Sequence, residues 1–177
     1  MTLSAIQTVV HGERRATFYQ VVLGIWLLVA IYAVLHDQYL VCIAPEHFTV
    51  YHPNPDNISS APLLAAYTAL KASVSPGLVL GLITWLVARS GEKPKLRLKS
   101  IFIATSVLIM ITEIFSSASG GIVYLTKAPL YPTNWYPDLS LAMLITQTIQ
   151  LTCYLVALLG SALMLLWMIL KRRRMPA

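Results

Sequence analysis

The sequence predicts an all-α membrane protein: a four-transmembrane-helix bundle with a partly structured extracytoplasmic loop between helices 1 and 2. Three observations carry the prediction. The 177 residues are 57 % apolar and only 11 % charged, against roughly 25 % charged in ordinary soluble domains. Four apolar stretches cover residues 18–36, 62–89, 100–125 and 139–170, each near or above the ~20 residues a bilayer requires. The cations then sort by connection. Eleven of the 13 Lys and Arg lie before the first stretch, from the final residue of the second (Arg89) to the start of the third, or after the fourth, and Lys127 alone falls in the other two connections. The whole chain, 1–177, reads as a single four-helix transmembrane domain.

The charge asymmetry orients the chain by the positive-inside rule, with both termini and the Arg89–Lys99 connection cytoplasmic in a plasma or inner membrane. The net charge of +6 is therefore a feature of topology. It implies contact with anionic lipid headgroups on the cytoplasmic side and excludes a nucleic-acid partner, because no soluble basic domain exists to carry one. A disordered chain is excluded by composition, and an ordinary soluble enzyme is disfavoured. No cleavable signal peptide is expected, since residues 1–17 have no apolar core ahead of Arg14 and Arg15. Ser4 and Gln7 have the spacing of a capping box for a short helix before the first span.

The first span ends near His36. In the loop that follows, the β-branched and aromatic run His47-Phe48-Thr49-Val50-Tyr51 predicts a short strand lying over the helix ends, and Pro53-Asn54-Pro55-Asp56-Asn57 predicts a turn. Asn57-Ile58-Ser59 fits the N-glycosylation pattern. The second span contains Pro76. Residues 77–88 alone would cover only ~18 Å, so the helix must continue outward through Lys71 with a kink near the proline. The third span carries Glu113. After it, Tyr131, Trp135 and Tyr136 form an aromatic belt at the membrane surface. The fourth span is long enough to tilt or project and ends in the basic run Lys171-Arg172-Arg173-Arg174. No internal repeat is visible. The two cysteines, Cys42 and Cys153, form no CxxC and are expected as free thiols.

An ionisable group inside a span is a functional hypothesis by default, and the sequence has two, Lys71 and Glu113. Measured from the cytoplasmic cations along ideal helices, they lie at ~27 Å and ~21 Å depth. The short connection between spans 2 and 3 predicts that those helices are neighbours and that the two charges pair. Polar stripes at helical spacing surround them: Tyr67, Lys71 and Ser75; Ser106, Met110, Glu113, Ser117 and Gly120; Ser140, Met143, Gln147, Gln150, Tyr154, Ala157 and Ser161. The resulting intramembrane cluster comprises Lys71, Glu113, Tyr67, Gln147, Gln150 and Tyr154.

A second group lies in the first loop. His36, Glu46, His47 and His52 are of the types that bind Zn or Cu. Their spacing matches no standard site, and on a strand His47 and His52 would face opposite sides, so no metal and no cofactor is expected. HExxH, GxSxG, P-loop and GxGxxG motifs are all missing, and the sequence leans away from an enzyme. The leading functional expectation is a non-catalytic membrane subunit or interaction protein with a buried Lys–Glu pair, engaging a membrane-protein partner or a second copy of itself. The alternatives are a small transporter or channel component built on the polar cluster, and a membrane-embedded enzyme or metal site at the loop histidines.

Overall fold

The computed structural model describes residues 15–54 and 56–176; the Ser4–Gln7 cap lies outside them. The described chain is an all-α bundle: α1 Arg15–Ile43, α2 Glu46–Thr49, α3 Ala61–Arg89, α4 Leu98–Thr126 and α5 Leu141–Arg174, with a 3-10 turn at Thr133–Trp135 before α5. The four long helices are each long and apolar enough to cross a membrane. Their outward faces carry large apolar side chains, such as Leu23, Leu27, Ile31 and Leu35 on α1 and Leu158, Leu159 and Leu163 on α5. That is the pattern a lipid solvent selects, and the protein is an integral, multi-pass membrane protein.

Local chemistry sets the helix ends. Ser140 caps α5 by accepting from Met143 N–H, while Asp138 accepts from Ser140 N–H. Pro62 occupies the first turn of α3, where its missing N–H is harmless. The helix then runs unbroken through Pro76. Helix α4 stops at Lys127, which adopts a left-handed conformation (φ 55°) while its N–H caps Val123 O.

Among the described residues there is no strand, which corrects the reading of 47–51. Helix α1 runs on to Ile43, and Pro45 starts the helical turn α2, with Val50 N–H bonded to Glu46 O. A lone strand over a helical bundle would have no partner for its backbone groups; a helical turn satisfies them internally. The turn buries Phe48 completely among Leu40, Val41, Leu64, Ala65 and Ile149, and leaves Val50 exposed. Asn54 then brackets Ile58, its side chain bonding both the N–H and the carbonyl. Cys42 belongs to α1 rather than to the loop, and both cysteines are free.

Helix α1 packs along α3, and α4 along α5; lesser contacts join α1 to α4 and α3 to α5. The consecutive helices α3 and α4 thus lie across the bundle from one another. This gives a loop end, bearing segments 44–60 and 127–140, and a basic end, bearing segment 90–97 and the end of α5.

Small residues set the α1–α3 distance. Ala65, Ala69, Ser73, Gly77 and Gly81 recur every fourth residue on α3, and all are buried. A Cβ on Gly81 would lie 2.7 Å from the Val22 carbonyl oxygen, and one on Gly77 would lie 2.9 Å from Trp26 Cδ1. Such close approach replaces the hydrophobic driving force that helices lack in lipid.

At the basic end, Arg172 is buried and its guanidinium donates to four carbonyls, one in the last turn of α3 and three in the α3–α4 connection: Val87 at 2.5 Å, Ser90 at 2.8 Å, Lys93 at 2.9 Å and Pro94 at 2.8 Å. Arg89 donates to Leu96 O in the same connection. At the loop end, Tyr136 is buried with its hydroxyl 2.8 Å from Thr148 Oγ1, and Tyr131 reaches Thr152 Oγ1 at 2.8 Å. Two of the three belt aromatics therefore dock on α5, and Trp135 alone stays exposed.

Candidate functional site

Glu113 stands at the midpoint of α4, and α1 faces it. Because α1 extends past the expected end of the first span, His36 is a mid-face helical residue one turn beyond Tyr32. Their side chains therefore project from the same stripe. His36 Nδ1 lies 2.9 Å from Glu113 Oε2, forming an ion pair when His36 is protonated. Tyr32 donates its hydroxyl to the same oxygen at 3.1 Å, and Ser117 donates to Oε1 at 2.7 Å. The Tyr32 hydroxyl also lies 3.3 Å from Cys153 Sγ, which brings α5 into the cluster. One carboxylate, which can only accept, thus holds α1 to α4 through three donors, and Tyr32 extends the cluster to α5. Tyr39 stacks edge-on to His36, ring centroids 5.2 Å apart.

Lys71 does not join this cluster. The two charges are at comparable depth, but depth along a helix says nothing about lateral position, and α3 lies across the bundle from α4. Lys71 is exposed on α3, donates to Tyr67 OH at 3.2 Å and rests on the Tyr67 ring; Tyr67 in turn donates to Asp56. The ammonium snorkels toward the loop end and its acid. Of the other expected members, Gln150 is buried and donates to Tyr154 OH at 2.9 Å, Gln147 is partly buried, and Tyr154 is mostly exposed.

The α4 stripe is displaced by one position over most of its length, although Gly120 is buried as expected. Thr105, Thr112, Ser116 and Ser119 face the bundle, whereas Ser106, Met110 and Ser117 face outward. His36 stands in the place expected for Lys71 as the partner of Glu113, and Tyr32 and Cys153 join it without having been expected there. The Tyr32–His36 spacing was the available signal, hidden by ending the first span at His36.

The loop histidines divide. His36 turns to Glu113, and Glu46 is exposed. His47 and His52, expected on opposite faces of a strand, come together on the helical turn with ring centroids 4.6 Å apart, and His52 Nδ1 bonds His47 O at 2.7 Å. Among the described residues no group of three or more His, Cys, Asp and Glu is placed to hold a metal ion.

His47 is buried, with Gln150 and His52 against it. Burial first, and the neighbouring His52 second, push its pKa down from 6.5 to about 4. The unfolded chain binds this proton at higher pH than the folded one. The bundle therefore keeps its full stability above pH 6.5 and loses it as pH falls toward 4, by on the order of 3 kcal/mol. His47→Gln should flatten that part of the unfolding-versus-pH curve; a variant as acid-sensitive as the parent would show that another group is responsible.

A double-mutant cycle separates the two candidate partners of Glu113. Glu113→Leu and His36→Leu should each cost about 1–2 kcal/mol in detergent titrations, in the range of intramembrane hydrogen-bond networks. Their combination should cost less than the sum by at least ~0.5 kcal/mol, while Lys71→Met combined with Glu113→Leu should be additive to within ~0.5 kcal/mol. Coupling to Lys71 instead of His36 would refute the assignment.

No protein-family model, no curated protein and no solved structure matches this chain.

Proposed function

We propose that the protein is a non-catalytic membrane subunit or interaction protein that engages a membrane-protein partner, or a second copy of itself, through the α1–α4 flank. The observation that supports this reading is the position of Glu113. Its side chain is 36 % exposed on a flank whose neighbours Met110 and Ile114 are largely uncovered apolar groups. An ionisable residue at the midpoint of a spanning helix is costly where it meets hydrocarbon, and a partner helix on this flank removes that cost. The orientation that accompanies the reading is both termini and segment 90–97 in the cytoplasm against anionic headgroups. It predicts that cysteines replacing Lys95 and Arg173 label from the cytoplasmic side, and those replacing Asp56 and Trp135 from the opposite side.

A photo-crosslinking residue at Ile114 tests the partner. In native membranes it should give a discrete protein adduct, weakened in Glu113→Gln, while the same residue at Leu158 on α5 should capture lipid. Lipid adducts alone from both positions would remove the reading.

A further inference from the structure

Several polar atoms near the loop end are buried without a partner. They are His36 Nε2 on α1, both ring nitrogens of His47 on α2, and Thr146 Oγ1 on α5. Buried polar groups are nearly always satisfied, and clusters that the protein leaves open are where internal water resides.

These atoms border a file of polar side chains. His52 packs on His47 at the surface of the loop end, and Gln150 lies against the His47 imidazole. Thr146 stands one turn nearer the loop end on the same face of α5. Gln150 donates to Tyr154 OH at 2.9 Å. Cys153 adjoins Tyr154 on α5, and Asp37 is buried on α1. Cys153 Sγ meets the Tyr32 hydroxyl, and Tyr32 donates to Glu113. The file therefore descends from the loop end to the middle of the bundle through groups that can each donate or accept a proton.

We propose that this file is a hydrated proton path from the loop end of the bundle to the carboxylate of Glu113. This goes beyond the partner-binding reading, which needs no path. The step is a proton transfer: a hydronium ion at the His52–His47 entrance becomes water, and the Glu113 carboxylate becomes a carboxylic acid. The proton moves between through hydrogen-bonded water and the side chains of the file. His47 suits the entrance because burial keeps it neutral near pH 7, with one ring nitrogen donating and one accepting. The groups facing it are His52 from the loop and Gln150 from α5, so no fixed positive charge bars entry. Those facing Glu113 are Tyr32, His36 and Tyr39 from α1, Cys153 from α5 and Ser117 from its own helix. Protonation removes the charge to which Tyr32, His36 and Ser117 donate, so a proton arriving from the loop end loosens the α1–α4 contact.

The test is infrared spectroscopy of the full chain in lipid nanodiscs, following deuterium exchange of the Glu113 carboxyl after a step to acidic solvent. The Glu113 band is identified as the one lost in Glu113→Gln. Exchange should slow at least tenfold in Gln150→Leu and in His47→Phe, and stay near the parent rate in Gln150→Asn. Thr84→Val, which removes a buried hydroxyl of α3 outside the file, should leave it unchanged. Circular dichroism selects the folded variants; if Gln150→Leu fails to fold, Gln150→Met takes its place. Parent-like exchange in the folded file variants would overturn the proposal, as would a Glu113 carboxyl that does not exchange in the parent.

Discussion

Gly81→Ala should destabilise the bundle by about 1–3 kcal/mol, and Gly81→Leu should prevent the native α1–α3 pair from forming. The new Cβ would meet the Val22 carbonyl oxygen at 2.7 Å and Val22 Cα at 2.9 Å. Both are backbone atoms, so no side-chain rotation relieves the contact and the two helices must separate. Separation forfeits the packing along the whole stripe from Ala65 to Gly81, because in lipid close packing is what holds the pair together. Gly121→Ala is the control. No atom lies within 4 Å of its added Cβ, and the exchange should gain up to ~1 kcal/mol of helix propensity. Detergent denaturation of the two alanine variants checks the contrast, and equal losses would show that α1 and α3 are not in close contact at this point.

Arg172→Ala should cost roughly 3–5 kcal/mol, less than four independent charge-assisted bonds, because water and headgroups recover part of the loss. Four carbonyls, one in the last turn of α3 and three in the connection, lose their donor at once. The planar guanidinium reaches all four from fixed angles, so Arg172→Lys should restore only a minor part. Arg173→Ala and Arg174→Ala, at exposed neighbouring positions, should stay within ~0.5 kcal/mol of the parent. Limited proteolysis provides a second readout: segment 90–97 should become cleavable in Arg172→Ala and stay resistant in Arg173→Ala. An Arg172→Ala protein as resistant as the parent would contradict the latch.

The helical spans were legible because a bilayer fixes both their length and their composition. What lay between and beside them was less so. The run 47–51 was read as packing over the helix ends, and Phe48 does so, but its β-branched neighbours suggested a strand; without a second strand to pair with, backbone satisfaction overrode propensity. The Lys71–Glu113 pairing failed on helix order, since a short connection at the basic end spans the bundle with Arg172 holding it. On α4 the hydroxyls of Thr105, Thr112 and Ser116 bond carbonyls of their own helix. Buried and lipid-facing serines and threonines then look alike in sequence, and the inward stripe was placed one residue away. The fourfold spacing of Gly77 and Gly81 was the more reliable sign of an inner face, because only close backbone approach requires it.

Biosynthesis gives the Arg172 latch a further consequence. The carbonyls of Val87, Ser90, Lys93 and Pro94 leave the ribosome long before the arginine that binds them, which stands in the final turn of α5. Helices α1 and α3 can pair as soon as both are inserted, yet the segment leading into α4 keeps open carbonyls until the fourth span has crossed and brought Arg172 to it. A chain stalled after three helices therefore presents a loose basic segment at the membrane surface, and a finished chain presents a closed one. Protease resistance of segment 90–97 thus reports completion of the last helix, giving surveillance proteases a physical difference between an unfinished copy and a finished one.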